Sequence, residues 1–408
     1  MKGPLIQSPA STFDVALGNQ LRSGYTTGAC AAAAAKGAAL MLAHQINVSE
    51  ITIELPAGLS ATFRLSGQNF SPDSATCFVI KDAGDDPDIT NGAEVHATVS
   101  RIPESSPASA GRLVIEGGKG IGRVTKPGLA VPPGDWAINP VPRRMIEEEV
   151  RVGLSSFILQ PSTFKIIISI PDGEERSKKT LNSRLGIIAG LSILGTTGIV
   201  RPISAKAWTD TIDAALDVAR ACGCATVVLS TGRTSEQAAQ NFLNRRQEAA
   251  QHPVNLFDHA SAHHPDTSCT PSCSEGFAEE AFIMMGDHIA YALQACHQRG
   301  FDQPIIACQF AKLLKIACGH ENTHAAASEL DIEKLLRWGQ EGGLSELTLA
   351  TISSANTARE IAIASSFDPL LLELVFGHAR SAVSKHAPGI ITQFLVADYS
   401  GNCVFDSR

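Results

Sequence analysis

The sequence predicts an α/β protein of two domains. Residues 1–160 read as an α+β domain. Residues 161–408 read as an open, Rossmann-like α/β domain with a mostly parallel sheet. Three observations carry this reading. The chain has 408 residues, more than one ordinary hydrophobic core organises. Its first part shows one Ala-rich helix followed by short alternating strands. Its second part alternates near-continuous apolar runs with helical patterns, as parallel strands covered on both faces do.

The first twenty residues read as a lead-in and hold no apolar run long enough for a secretory signal. The run from Ala29 to His44 is nearly all Ala, Leu, Lys and Met, with Thr26 or Thr27 placed to cap it. It reads as a packed core helix whose first turn, Tyr25 to Gly28, could also offer N–H donors to an anion. Strand-like runs begin at Ile51, Ala61, Ala75, Glu94 and Arg112, separated by turn residues. A helical pattern around "PRRMIEEEVRVGLSSF" ends this domain. Beyond it, apolar strands begin at Phe164, Ala225, Pro304 and Ile391. Helical patterns cover Ala205–Cys222, Ser235–Ala250, Glu279–Arg299 and Lys312–Cys318. Residues 250–278 read as a loop or insertion.

Composition excludes several classes of function. Aromatic residues make up 5% of the chain, too few for a stacking surface on single-stranded nucleic acid. A net charge of -8 gives no general basic field for DNA or a membrane surface. An anionic ligand therefore needs a local basic patch. No stretch reaches the length of a membrane span. The ten cysteines, several inside apolar runs, read as reduced core thiols, and the expected compartment is the cytoplasm.

The segment "GGKGIGRVTKPG", Gly117 to Gly128, concentrates five glycines, two lysines and one arginine. It matches neither GxGxxG nor GxxxxGK[ST], and Pro127 bars the helix that a phosphate loop requires. A nucleotide-dependent ligase or kinase is disfavoured on that ground. The remaining reading is an irregular loop whose bare backbone approaches a ligand, with Lys119, Arg123 and Lys126 available to carboxylates. "KDAGDDPDITNG" gathers Asp82, Asp85, Asp86 and Asp88 in one turn. It lacks the closing Glu of a calcium loop, which leaves an Asx-turn loop or a functional carboxylate. Two polar turns, "LGTTG" (Gly195, Thr196, Thr197, Gly198) and "STGRTSE" (Thr231, Gly232, Glu236), suit strand ends, where α/β sheets bind ligands. "MMGDH" and "HENTH" sit at helix boundaries. His263, His264, Cys269 and Cys273 are zinc-type ligands at a spacing that matches no standard finger.

"LRSGYTTGACAAAAAKGA", "IKDAGDDPDITNG", "GGKGIGRVTKPGL", "AINPVPRRMI", "PDGEERSKKTLNSRLGIIAGLSILGTTGIVRP", "STGRTSE" and "FAKLLKIACG" with "NTHAA" resemble the CbiD family, in the family's order, from Leu21 to Asp331. Where the family usually has Gly-Asn, this chain has Gly286-Asp287. The resemblance implies a fold unlike the usual tetrapyrrole methylases. It implies methyl transfer from S-adenosylmethionine to C1 of cobalt-precorrin-5B in anaerobic cobalamin biosynthesis. Cobalt enters only within the corrinoid substrate, and no protein-borne metal is expected. On this reading Lys119, Arg123, Lys126, Arg143, Arg176 and Arg184, with Tyr25, Thr26 and Thr27, face the substrate's carboxylate arms. Gly195, Thr196, Thr197, Gly198, Thr231, Gly232 and Glu236 face S-adenosylmethionine, and Asp82, Asp85 and Asp86 supply the base. The split between substrate and donor residues is reversible at this stage, and Tyr25, Thr26 and Thr27 can serve either ligand. A non-catalytic corrinoid carrier is the alternative, and homo-oligomerisation is left open.

Overall fold

The computed structural model describes residues 21–102, 112–155, 163–251 and 277–408. Contacts divide the chain into two units, Met1–Thr125 with Ala130–Ser204, and Lys126–Leu129 with Ala205–Arg408.

In the first unit, β1 (Gly24–Tyr25) leads into α1 (Thr27–His44). Thr26 caps α1 by accepting the Ala29 N–H at 3.2 Å, and Gln45 ends it in the left-handed region. The hairpin β2 (Glu50–Leu55) and β3 (Leu59–Arg64) follows. Next come β4 (Ser66–Phe70), β5 (Ser74–Ile80), β6 (Glu94–Ile102) and β7 (Leu113–Gly117). Then come β8 (Arg123–Val124), α2 (Pro140–Gly153), β9 (Thr163–Ser169), α3 (Gly173–Ser177), β10 (Ile187–Ile188) and β11 (Ile199–Val200). The main sheet runs β4-β5-β6-β9-β7 and is antiparallel except for β9 beside β7. α1 packs against β5, β6 and α2. Its alanines from Ala29 to Ala39 are fully buried, because a small face lets neighbours approach closely.

The run from Phe164 was expected to open the second domain. Instead β9 pairs antiparallel with β6 and parallel with β7, inside the first sheet. An apolar run reports that a strand is covered, not which neighbours cover it. The boundary between units therefore lies at Ser204/Ala205 and not near residue 160, with Lys126–Leu129 a further exception.

The second unit contains α4 (Ala205–Ala221), β12 (Val228–Ser230), α5 (Arg233–Gln251), β13 (Phe282–Met284) and α6 (Ile289–Gln298). It continues with β14 (Ile305–Gln309), α7 (Phe310–Ala317), α8 (Ile332–Glu341), α9 (Glu346–Ser354) and α10 (Ala358–Ala364). It ends with α11 (Pro369–His386), β15 (Gln393–Ala397) and β16 (Cys403–Asp406). The sheet order is β13-β12-β14-β15-β16, parallel except for β16. This is the open, mostly parallel sheet the sequence predicts. The helix expected over Glu279–Arg299 is instead a strand and a shorter helix. Gly286, at φ +59°, makes the turn between them.

Candidate functional site

The acidic loop after β5 is held by arginines at both ends. Asp82 accepts from the Arg22 guanidinium at 2.5 and 2.8 Å and from the Gly84 N–H at 2.9 Å. The Arg22 and Gly84 hydrogen bonds hold the Asp82 carboxyl at about 2, well below the usual carboxylate range. Asp85 accepts the Arg22 N–H at 2.6 Å, and Asp86 accepts the Ile203 N–H at 3.0 Å. Asp88 takes the Lys81 ammonium at 2.6 Å, and the Lys81 side chain is 1% exposed. Arg176 bonds Asp172 at 2.7 Å, and its Nη1 donates to the carbonyls of Ile89 at 2.6 Å and Asn91 at 3.0 Å. Arg176 is thus a clamp on the acidic loop.

The start of α1 meets the turn before β11. The Thr26 N–H donates to Gly198 O at 3.0 Å, and the Gly28 N–H to Leu194 O at 3.0 Å. The Tyr25 N–H donates to Asp82 O at 2.7 Å. Thr27 Oγ1 donates to Leu194 O at 3.2 Å and accepts the Leu194 N–H at 3.1 Å. The expected anion donors at Tyr25, Thr26 and Gly28 are therefore engaged within the unit. Thr26 and Thr27 are 7% and 3% exposed, and the Tyr25 ring lies 4.7 Å from Phe63. A Cβ on Gly195 would come within 2.3 Å of Thr26 Oγ1, so this glycine makes room for the cap. Thr196 and Thr197 are exposed.

The glycine-rich loop resolves in the same way. Gly120 lies at φ +75°, and a Cβ there would fall 1.9 Å from Ile170 O. Cβ atoms on Gly173 and Gly190 would fall 2.3 and 2.5 Å from Gly120 O. The bare backbone the sequence reserved for a ligand is taken by the chain itself. What remains outward is the charge. Lys119 and Arg123 are exposed. The Arg123 guanidinium stacks 3.6 Å from the Trp136 ring centroid and donates to Gly134 O at 2.6 Å. Arg143 reaches Ile115 O at 3.4 Å, and Arg184 is half-buried. Lys126 belongs to the second unit and pairs with Glu280 at 2.7 Å.

In the second unit β12 ends at Ser230. The Thr231 N–H donates to Ala307 O at 3.1 Å, and Ser235 Oγ donates to Gly232 O at 2.9 Å. Nothing lies within 4 Å of a Cβ built on Gly232, so this backbone is open to a ligand. Glu236 is buried one turn into α5. Loops after β12 and β14 leave in opposite directions along the sheet, which marks a switch point. The seven residues assigned to S-adenosylmethionine therefore divide, four in the first unit and three in the second.

The sequence placed Asp287 and Thr323 at helix boundaries but did not single out the two lysines that join them in a polar cluster beside that strand end. Lys312 and Lys315 of α7 both donate to Thr323 O, at 2.9 and 3.1 Å. Asp287 Oδ1 accepts from Lys312 and from Thr323 Oγ1, the latter at 2.7 Å. Burial acts to raise the Asp287 pKa, but the Lys312 and Thr323 hydrogen bonds outweigh it and hold it below the usual range. Burial pushes the Lys315 ammonium down, and Lys312 pushes it the same way. The available signal was two lysines at i and i+3 inside the apolar run "FAKLLKIA".

Against known proteins, residues 15–202 match the model of the family described as CbiD. A Pelobacter propionicus protein named cobalt-precorrin-5B C(1)-methyltransferase is 60% identical over 95% of this chain and 96% of its own length. The chain belongs to the CbiD family. A Geobacter metallireducens protein of the same name is 52% identical over 94% of this chain and 98% of its own. A crystal structure of the CbiD protein from Archaeoglobus fulgidus aligns with 74% of this chain and 81% of that one, at 26% identity and a TM-score of 0.35. In this CbiD-family chain, no three His, Cys, Asp or Glu side chains gather as a metal site among the described residues. His263, His264, Cys269 and Cys273 lie outside those residues. No described helix is long and apolar enough to cross a membrane.

Proposed function

We propose that this chain is a cytoplasmic enzyme that transfers the methyl group of S-adenosylmethionine to C1 of cobalt-precorrin-5B. The products are cobalt-precorrin-6A and S-adenosylhomocysteine. The observation that carries this reading is 60% identity, over nearly the full length of both chains, to a relative bearing that name. The chemistry suits the residues. A methyl on sulfonium is already activated, so the protein must align a ring carbon with it and exclude water. Cobalt arrives as part of the substrate.

The donor's fit rests on Gly232, whose open backbone stands beside Thr231 at a strand end near a switch point. Lys119 and Arg123, exposed on a loop whose shape is fixed by its glycines, receive carboxylate arms of the macrocycle. Arg143 and Arg184 extend that basic surface. Arg176 acts indirectly, through the acidic loop it clamps. Asp82, held charged by Arg22, is a weak base and serves as an anchor. Asp85 and Asp86, each accepting one backbone N–H, are the proton acceptors we assign.

The test is anaerobic. Purified protein, methyl-labelled S-adenosylmethionine and cobalt-precorrin-5B are mixed, and the label is located in the corrinoid by NMR. One labelled methyl at C1 is expected. Label at another carbon overturns the position. Tight corrinoid binding without transfer replaces the enzyme with a carrier.

A further inference from the structure

We propose that Lys312 and Lys315, with Asp287 and Thr323, form a carboxylate-binding subsite at the C-terminal edge of the second unit's sheet. The inference rests on the methyltransferase reading and extends its ligand contacts. Asp287 follows β13 by three residues, and α7, which carries both lysines, begins immediately after β14. The end of β12, with Thr231 and Gly232, lies between these strands. The Met285 and Gly286 N–H groups both donate to Ser230 O, at 2.9 and 3.2 Å, which folds the β13 loop over the end of β12.

The charges do not balance. Two ammonium groups share one carbonyl oxygen, so they lie within about 6 Å of each other, where like charges repel. Among the described residues Asp287 alone offers these lysines a carboxylate, and its Oδ1 bonds Lys312, not Lys315. Lys315 is 7% exposed and has only the Thr323 carbonyl as a hydrogen-bond acceptor among the described residues. Thr323 is 0% exposed. A buried ammonium without a carboxylate is costly unless a ligand completes it. The Lys312 and Asp287 side chains stay 27% and 24% exposed, so the cluster opens to solvent on the charged side. An incoming carboxylate bridging the two lysines gains charge-assisted hydrogen bonds and relieves their repulsion.

Two ligands of this reaction carry carboxylates, namely the methionyl end of S-adenosylmethionine and the arms of the corrinoid. The donor suits the cluster better. Asp287 Oδ2 has no partner among the described residues and can accept from the α-ammonium beside the donor's carboxylate.

The experiment is calorimetric titration of the full chain with S-adenosylhomocysteine and with 5′-methylthioadenosine, which lacks the amino-acid end. Lys312→Gln and Lys315→Met are compared with the unchanged protein, and Lys315→Arg serves as the charge-keeping control. We expect at least a tenfold loss of S-adenosylhomocysteine affinity in both neutral variants, unchanged methylthioadenosine affinity and substantial recovery in Lys315→Arg. If S-adenosylhomocysteine binds normally while the KM for cobalt-precorrin-5B rises tenfold and kcat holds, the carboxylate belongs to the corrinoid. Unchanged affinity for every ligand, or equal loss for both nucleosides, overturns the subsite. Should Lys315→Met fail to fold, Lys312→Gln, altered at a partly exposed side chain, carries the test. The donor titrations need no turnover, so a failure of methyl transfer is distinguishable from a failure of the subsite.

Discussion

Gly120 and Gly232 sit in two turns that the sequence offers alike to a ligand, and they do opposite things. In the first unit, Gly120, Gly173 and Gly190 crowd backbone against backbone, and a Cβ on any of them would overlap a carbonyl. In the second unit, Gly232 faces open space. The charges divide in the same way. Asp82, Asp88 and Arg176 are each matched by partners in their own unit. Among the described residues, Lys312 and Lys315 outnumber the one carboxylate that bonds either of them. Glycine and charge that look equally available in the sequence thus differ in whether the chain has already used them.

The comparison breaks first at Gly120. Gly120→Ala combines a left-handed φ with a backbone clash, and we expect a loss of about 4 kcal/mol in equilibrium urea unfolding. Gly232→Ala should stay within about 0.5 kcal/mol while weakening S-adenosylhomocysteine binding. Similar stability losses for the two would erase the distinction. Next is the buried pair. Asp88→Asn leaves the Lys81 ammonium unpaired and should cost about 3 kcal/mol by the same assay. Arg176→Ala removes an ion pair and two carbonyl contacts, for which we expect about 2 kcal/mol. Faster amide exchange should be confined to the neighbourhood of Ile89 to Asn91. By contrast, Lys315→Met should change stability by no more than about 1 kcal/mol. It removes a desolvated charge while Lys312 still donates to Thr323 O.

The smallest effect concerns pH. The folded Asp82 pKa is depressed to about 2, below the unfolded value of about 4. Its contribution is therefore present above pH ~4 and is lost as the pH falls through ~2. The pair is exposed, so the contribution is modest. Melting temperatures of the unchanged protein and Asp82→Asn should converge over that window. A difference that persists at pH 2 would show that Asp82 acts through something other than its charge.

Several elements were legible from residues alone. The Ala29–His44 run read as a packed core helix, because alanine favours helix and offers no polar group to solvent. Its cap was legible as Thr26 or Thr27, and the structure assigns it to Thr26. The parallel strands at Pro304 and Ile391 announced themselves by unbroken apolarity. Other features were not local. β13 was hidden because three apolar residues beside a helical pattern carry no period of their own. β9 was assigned to the wrong sheet because its partners, His96 to Ile102 and Leu113 to Gly117, lie far away in the chain.

The sequence by itself determined the α/β class, the packed alanine helix, the mostly parallel second sheet and, through long unusual motifs, the CbiD resemblance. These follow from local preference, short-range periodicity and residue identity. Only the tertiary structure decided which glycines are free, which arginines are clamps and where surplus charge is buried. Those properties depend on what stands opposite each group, and residues such as Ile170, Thr26 and Thr323 reach their positions only when distant segments fold together.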